Sequence, residues 1–314
     1  MLKKILKLTG FVLFSLLLVF GLLFYTQAYN YPRYPLKVDR TLFPEVESEE
    51  DIELLAQSLL AQMTLDEKIE QLYGEPGTSL FKLVANFFWL NRFPHMYVGR
   101  NERLGIPPFV LTDGPRGVRV SDDHGGATVF PVAMARGASW NVELEARVND
   151  VIAKETRAIG ANMAATPCIN LLRHPGWGRA QESYGEDPWH VGQFGVSAIR
   201  AIQPHNVMAS PKHFALNSIE NSRFFIDVDV DERTLREVYL PQFKKAVQEG
   251  GAASMMSSYN SVRGEYLSNN KYLLTDILRD EWGFSGFVHS DWFFAMYDAA
   301  GSIEAGLNIE MPIS

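Results

Sequence analysis

Residues 281–292, EWGFSGFVHSDW, carry a carboxylate where chemistry can use one. They read as the end of a helix, a glycine turn, a short buried strand at Phe287-Val288 and a polar exit, His289-Ser290-Asp291, with Trp292 alongside. An acid at the C-terminal mouth of a strand is where an α/β barrel carries catalytic groups, and an ionised carboxylate there can act as a nucleophile. The plainer reading of Asp291 is an Asp that shapes a strand-to-loop turn. Polar residues recur wherever apolar runs stop: Asp113, Arg179 and Glu182 in GRAQESYGEDP, Lys212-His213, and Tyr259. Each has a bland alternative. Asp113 precedes Gly-Pro and can form a turn, Arg179 can pair with Glu182 or Glu186, and Lys212 can lie on the surface. Together they describe a pocket with an acceptor (Asp113), donors (Arg179, Lys212, His213) and an aromatic wall (Trp292, with Trp177 a second candidate). Hydroxyl-rich ligands need that mixture.

The elements that must position these groups alternate. Short apolar runs at Phe109–Thr112, Met163–Leu172, Val207–Ser210, Ala252–Met256, Phe287-Val288 and Ala305–Met311 are separated by helical patterns at Val142–Ile159, Val191–Ile202, Glu232–Gln248 and Tyr272–Trp282. Near-continuous apolar strands alternating with helices predict a parallel sheet covered by helices. About six strands fit a (β/α)8-like barrel, and an open doubly wound sheet remains an alternative. Upstream, Ser48–Met63 has a helical face of Ile52, Leu55, Leu59, Leu60 and Met63, and Thr64 with Glu67 forms a capping box for a second helix. Residues 75–100 are aromatic-rich and have no assigned element.

Composition excludes several classes. The 314 residues are 46% hydrophobic, 21% charged and 12% aromatic, with a formal net charge of -8, which disfavours nucleic acid as a partner. The one cysteine, Cys168, allows no internal disulfide. The seven histidines show no HExxH or similar spacing, so no metal is expected. No GxGxxG or GxxxxGK[ST] loop is present, and no cofactor is expected. An aldolase-like use of Lys212 as a Schiff base is a further alternative.

At the N-terminus, Lys3, Lys4 and Lys7 precede an uncharged run from Leu8 to Ala28. About 20 apolar residues span a bilayer as a helix. Residues 1–28 are therefore expected to be a membrane anchor or, alternatively, a cleaved signal, with the remainder exported to the periplasm or cell exterior. Residues 29–47, with Pro32, Pro35 and Pro44, read as a linker, and 48–314 as the barrel domain.

The chain resembles glycoside hydrolase family 3, whose members include many β-glucosidases. The stretches that carry the resemblance are LLAQMTLDEKIEQL, LTDGPRGVR, GRAQESYGEDP, KHFALNSIENSR, SSYNSVRGEYLSNNKYLLTDILRDEWGFSGFVHSDW and AGLNIEMP, in family order over most of residues 54–312. The resemblance implies a (β/α)8-like TIM barrel and an exo-acting retaining β-glycosidase. Asp291 matches the family's nucleophile. Asp113, Arg179, Lys212 and His213 match residues that hold the sugar's hydroxyls, Tyr259 a tyrosine near the nucleophile, and Trp292 an aromatic of the sugar pocket. Arg223 matches a family arginine. In most of the family a second, sandwich domain supplies the acid/base. The chain to Ser314 leads to the expectation of a barrel incomplete at its C-terminal end, of impaired turnover, and of a partner chain completing the site. A membrane-tethered sugar-binding relic or split subunit is the alternative. Asn308 stands where many relatives carry Asp.

Overall fold

The computed structural model describes residues 11–22, 48–74, 96–120 and 126–312. Strands β1 (Met96–Val98), β2 (Phe109–Asp113), β3 (Met163–Ala165) and β4 (Met208–Ala209) form one sheet in that order. β1 is antiparallel to β2, and the other pairs are parallel. A small outer sheet holds β5 (Asp227–Val228), β7 (Ser261–Val262) and β8 (Glu265–Tyr266), while β6 (Ser254–Met256), β9 (Phe287–Trp292) and β10 (Ile309–Met311) form a third, parallel, in the order β10-β9-β6.

Backbone hydrogen bonds join the first and third sheets into a ring. On one side Met256 N donates to Pro211 O (3.0 Å) and Phe214 N to Met256 O (2.8 Å). On the other, Tyr73 bridges Glu310 in parallel and Gly74 bridges Val98 antiparallel. The α/β architecture expected from the alternating pattern is thus an eight-member ring, with the segment at 72–74 as the eighth member and β1 reversed. Glu310 N donates to Leu72 O (2.8 Å) and closes the circle of strands. Sequence pattern missed this closure because a single-residue bridge has no periodicity.

Helices form where the sequence caps them. Asn141 accepts from Leu144 N to start Val142–Ala158, and Asp187 accepts from His190 N, with Pro188 in the first turn, to start Pro188–Ile202. The capping boxes at Ser48/Asp51 and Thr64/Glu67 are both formed. The helix expected over Glu232–Gln248 is broken. Pro241 has no N–H to donate, and the chain widens into a π-turn over Leu235–Tyr239 before Pro241–Gln248 resumes. Tyr272–Glu281 is also π-helical. The helix Glu49–Gln62 has no fully buried residue, and on its apolar face only Leu55 and Leu59 are half-buried.

The helical stretch at 11–22 is the described part of the apolar run 8–28. Among the described residues no helix is long and apolar enough to cross a membrane, so the expected transmembrane helix is not supported; the flanks of that run lie outside the described residues.

Two core layers follow from the ring. Its interior is filled by Val98, Leu111, Met163, Ala165, Met256, Ile309 and Met311, and on its outer side Val288 belongs to the core that includes Phe243, Ile199, Ile202 and Ile277 of the helices. Each such large side chain contributes about 1.5–3 kcal/mol when fully buried. Gly286 lets the start of β9 lie against β6: a Cβ there would sit 2.3 Å from Ala253 O. Asn308 Oδ1 accepts from Val288 N (2.8 Å) and from the Arg279 guanidinium (2.6 Å), which also reaches Gly286 O (3.1 Å). The departure at Asn308 therefore bears on how β9 is held.

One buried ionic cluster ties this scaffold to the strand ends. Arg136 Nε donates to Glu145 Oε2 (2.7 Å), with both side chains almost wholly buried. Glu145 Oε1 also accepts from Tyr184 Oη and Asn149 Nδ2, and Arg136 reaches Pro115 O, two residues after Asp113. Removing one member leaves a buried charge unpaired, which costs about 3–5 kcal/mol. We predict that Arg136→Met lowers stability in urea unfolding by that amount and that Arg136→Met/Glu145→Leu recovers part of it. Equal losses in the single and double variants would contradict this.

Candidate active site

The mouth of the ring encloses a cavity of about 310 Å³. β2 delivers Asp113 to it, the chain just after β4 delivers Lys212 and His213, the chain after β6 delivers Tyr259, and β9 delivers Asp291 and Trp292. Arg179 enters beside the short turn Ala180–Glu182. Asp113, Arg179, Lys212, His213, Tyr259, Asp291 and Trp292 all line this one cavity, as does Arg223, whereas Glu182 does not. Trp177, the second candidate for its wall, does not. Asp291 lies within β9 rather than beyond it, because the strand runs to Trp292.

Asp291 is buried. Its Oδ1 accepts from Trp292 N (2.8 Å), while Oδ2 has no hydrogen-bond partner among the described residues. His213 Nε2 lies 3.6 Å from that oxygen, too far for a hydrogen bond. Burial raises the Asp291 pKa above the ordinary carboxylate value, and the charges of Arg179 and Lys212, the Trp292 N–H and the Tyr259 hydroxyl oppose the rise without cancelling it. Tyr259 is fixed by its bonds to Trp292: Oη donates to Trp292 O (2.8 Å) and accepts from Trp292 N (3.1 Å).

Lys212 Nζ donates to Asp113 Oδ1 (2.8 Å); the lysine is 3% exposed and the aspartate side chain 41%. Withdrawal from solvent pushes Asp113 up, but Lys212 outweighs it and holds the carboxyl below its ordinary value. For Lys212, burial acts downward and Asp113 outweighs it, so the ammonium is retained. Asp113 also accepts from Gly114 N (2.9 Å), and Gly114 has φ +147° with Gly117 O 1.8 Å from where its Cβ would be, so only glycine fits. Arg179 forms a two-point pair with Glu182 (2.9 and 2.7 Å), the structural pairing foreseen as its alternative, and still lines the cavity.

His213 is held by a residue that sequence reasoning missed. Asn170 Oδ1 accepts from His213 N (2.7 Å) and lies 3.0 Å from His213 Nδ1, and Asn170 Nδ2 donates to His213 O (2.8 Å). The Oδ1 acceptor places the proton on Nδ1. Burial first, then Arg179, Lys212 and Arg223, hold the His213 pKa well below its ordinary value. The ring is neutral, and Nε2 faces the cavity as an acceptor. Asn170 sits in the apolar run CINLL, where no pattern marks it. Arg119, Met256 and Phe293 also line the cavity without having been singled out, and Arg223 packs over the Tyr259 ring at 4.4 Å.

With this geometry in view, residues 94–313 match the model of the glycosyl hydrolase family 3 N-terminal domain. The chain belongs to glycoside hydrolase family 3. Among family 3 relatives, a β-glucosidase of Rhizobium radiobacter is 40% identical over 257 residues, 81% of this chain and 29% of the relative. An exo-alpha-(1->6)-L-arabinopyranosidase of Bifidobacterium longum is 40% identical over 223 residues, 68% of this chain and 29% of the relative. The solved β-glucosidase 3B of Thermotoga neapolitana in complex with glucose superposes with a TM-score of 0.74 at 35% identity, covering 82% of this chain and 36% of that one. The chain thus spans about 29% of the length of these curated relatives.

The raised Asp291 pKa has a consequence for stability. An acid whose folded pKa lies above its unfolded value binds more protons when folded, so stability falls as pH rises from the unfolded pKa, about 3.9, through the folded one. Asp291→Asn removes that charge. Its melting temperature should exceed the parent's at neutral pH, and the gain should vanish below about pH 4. A pH-independent difference in thermal melts would contradict this assignment.

Proposed function

We propose that this chain is the nucleophile-bearing domain of an exo-acting, retaining β-glycosidase, β-glucosidase-like in specificity. The observation that supports it most is the buried Asp291 carboxylate with one oxygen unpartnered among the described residues, in a small cavity lined by Arg119, Arg179, Lys212, His213 and Arg223. In this reading Asp291 Oδ2 attacks the anomeric carbon, and the glycosidic bond breaks with its electron pair leaving on the aglycone oxygen. Water then attacks the same carbon, the bond to Asp291 breaks with its electron pair returning to the carboxylate, and the water's proton passes to the group that protonated the leaving oxygen. Asp113, the Nε2 of His213, Lys212 and Arg179 supply acceptors and donors for ring hydroxyls, and Trp292 packs on the ring. Hydrogen bonds that tighten as the oxocarbenium-like transition state forms would add rate. A cavity of about 310 Å³ favours a single terminal sugar, in keeping with exo action.

The reaction also needs a proton for the leaving oxygen. Among the lining residues none is suited to give it. Asp113 is held ionised by Lys212, His213 is neutral with its proton turned to Asn170, and Tyr259 has a raised pKa and is bonded to Trp292. We propose that this proton comes from a group beyond the described residues, on a further domain or a partner chain. By itself the described site should therefore turn over glycosides whose leaving groups need little protonation and process unactivated disaccharides poorly.

Asp291→Ala should lower turnover of a 2,4-dinitrophenyl β-glycoside by at least ~10³-fold, and added azide should restore product as the α-glycosyl azide. Unchanged turnover in Asp291→Ala would remove the proposal. Glycoside binding without any turnover in the parent would instead favour the sugar-binding subunit. We also propose, from Lys3, Lys4 and Lys7 ahead of the apolar run 8–28, that the domain is exported. Protection of the domain from external protease in spheroplasts would refute that.

A further inference from the structure

Two polar side chains sit in the apolar interior of the ring, and the proposed reaction does not use them. His289 and Ser210 are both fully buried. Ser210 Oγ lies 2.8 Å from His289 Nε2, and His289 Nδ1 lies 2.9 Å from Ser290 O. A carbonyl can only accept, so the ring proton is on Nδ1, and Nε2 accepts from the Ser210 hydroxyl. Burial above all keeps the ring neutral, with a pKa of about 4. His289 pairs in register with Met256 of β6 and Ile309 of β10, whose side chains fill the ring interior, so its own side chain points the same way.

The places of the two residues give the bond its meaning. His289 precedes Asp291 by two residues on β9, and Ser210 precedes Lys212 by two residues on the chain that leaves β4. Alternate residues of a strand share a face, so Asp291 stands next above His289 on the way to the mouth. β6 lies between these two segments, bonded to one through Met256 N and Pro211 O and paired with the other along Phe287–His289. Among the described residues no backbone ladder runs directly from the strand of Asp291 to the chain of Lys212 and His213. The Ser210–His289 bond crosses that gap. Its serine end is fixed, since Ser210 N donates to Ala164 O (2.9 Å) and Thr166 O (3.1 Å). Its histidine end is fixed by Ser290 O and by Ser257 N, which donates to His289 O (2.9 Å). An apolar pair could fill the same space, but a buried hydrogen bond also sets distance and direction.

We propose that Ser210 and His289 are positioning residues for the nucleophile. Their bond sets where Asp291 stands relative to Lys212 and His213, and so how the attacking oxygen meets a sugar held by those residues. The inference rests on the glycosidase reading above. The pair acts on attack rather than on binding, and a displacement of about 1 Å can cost on the order of a hundredfold in rate.

The test follows labelling by whichever of the 2-deoxy-2-fluoro-β-glucosyl, galactosyl and xylosyl fluorides modifies the parent. It separates reversible binding (Ki) from attack (kinact). Ser210→Ala and His289→Leu should each lower kinact roughly tenfold or more, while Ki stays within about twofold. His289→Gln, whose side-chain oxygen can accept from Ser210, should keep kinact within about threefold of the parent. Ser210→Ala/His289→Leu should be no slower than the worse single variant, because both changes remove the same bond. Thermal melts check that each variant is folded, and if His289→Leu is not, Ser210→Ala decides. A folded Ser210→Ala with parental kinact, a glutamine variant as slow as the leucine variant, or a loss carried by Ki alone overturns the positioning role and leaves the glycosidase reading intact. A parent that takes no label from any of the three reagents defeats that reading and the positioning role with it.

Discussion

Carboxylates and bases drawn out of water at the mouth of a strand ring need compensation, and the site is organised around supplying it. Asp291, Lys212 and His213 are all nearly inaccessible to solvent. Lys212 keeps its charge because Asp113 is bonded to it. His213 gives its charge up, since the cations around it and its burial both oppose protonation. Asp291 lies between these outcomes: burial raises its pKa, and Arg179 and Lys212 hold the rise in check. The nucleophilic role proposed for Asp291 needs that balance. A fully compensated carboxylate would be a poor attacker, and an uncompensated one would stay protonated.

The supports of these residues lie well away from the cavity. Asn170 fixes the ring and backbone of His213. The buried Arg136–Glu145 cluster reaches Pro115 and so steadies the turn that follows Asp113. Arg279 and Asn308 hold the entry of β9, and Gly286 allows its close approach to β6. The ring is closed by a thin seam at Tyr73–Glu310 rather than by a long strand pair. Rigid elements thus carry the polar groups that line the cavity.

Much of this was legible in the sequence, for physical reasons that differ by residue. Asp113, Lys212 and Asp291 were visible because a polar group at the end of an apolar run on a parallel strand has one place to go, the C-terminal mouth. The capping residue Thr64 announces a helix through local hydrogen bonds that need no tertiary partner. Asn170 was invisible because its role depends on His213, 43 residues away, and no local pattern encodes that contact. The seam at Tyr73 was missed for the same reason. The break at Pro241 was underestimated: its apolar periodicity continues across Leu235–Gln248, but a missing N–H overrides periodicity. The ion pair of Arg179 with Glu182 shows that the bland and functional readings of one residue can both hold.

The proposed function requires that Asp291 form a covalent bond to the sugar. The direct measurement is mass spectrometry of the chain after incubation with a panel of 2-deoxy-2-fluoro-β-glycosyl fluorides, followed by peptide mapping. One added fluorosugar is expected on the peptide containing Asp291. A label on another residue, or hydrolysis of the same reagents without any label, would contradict it.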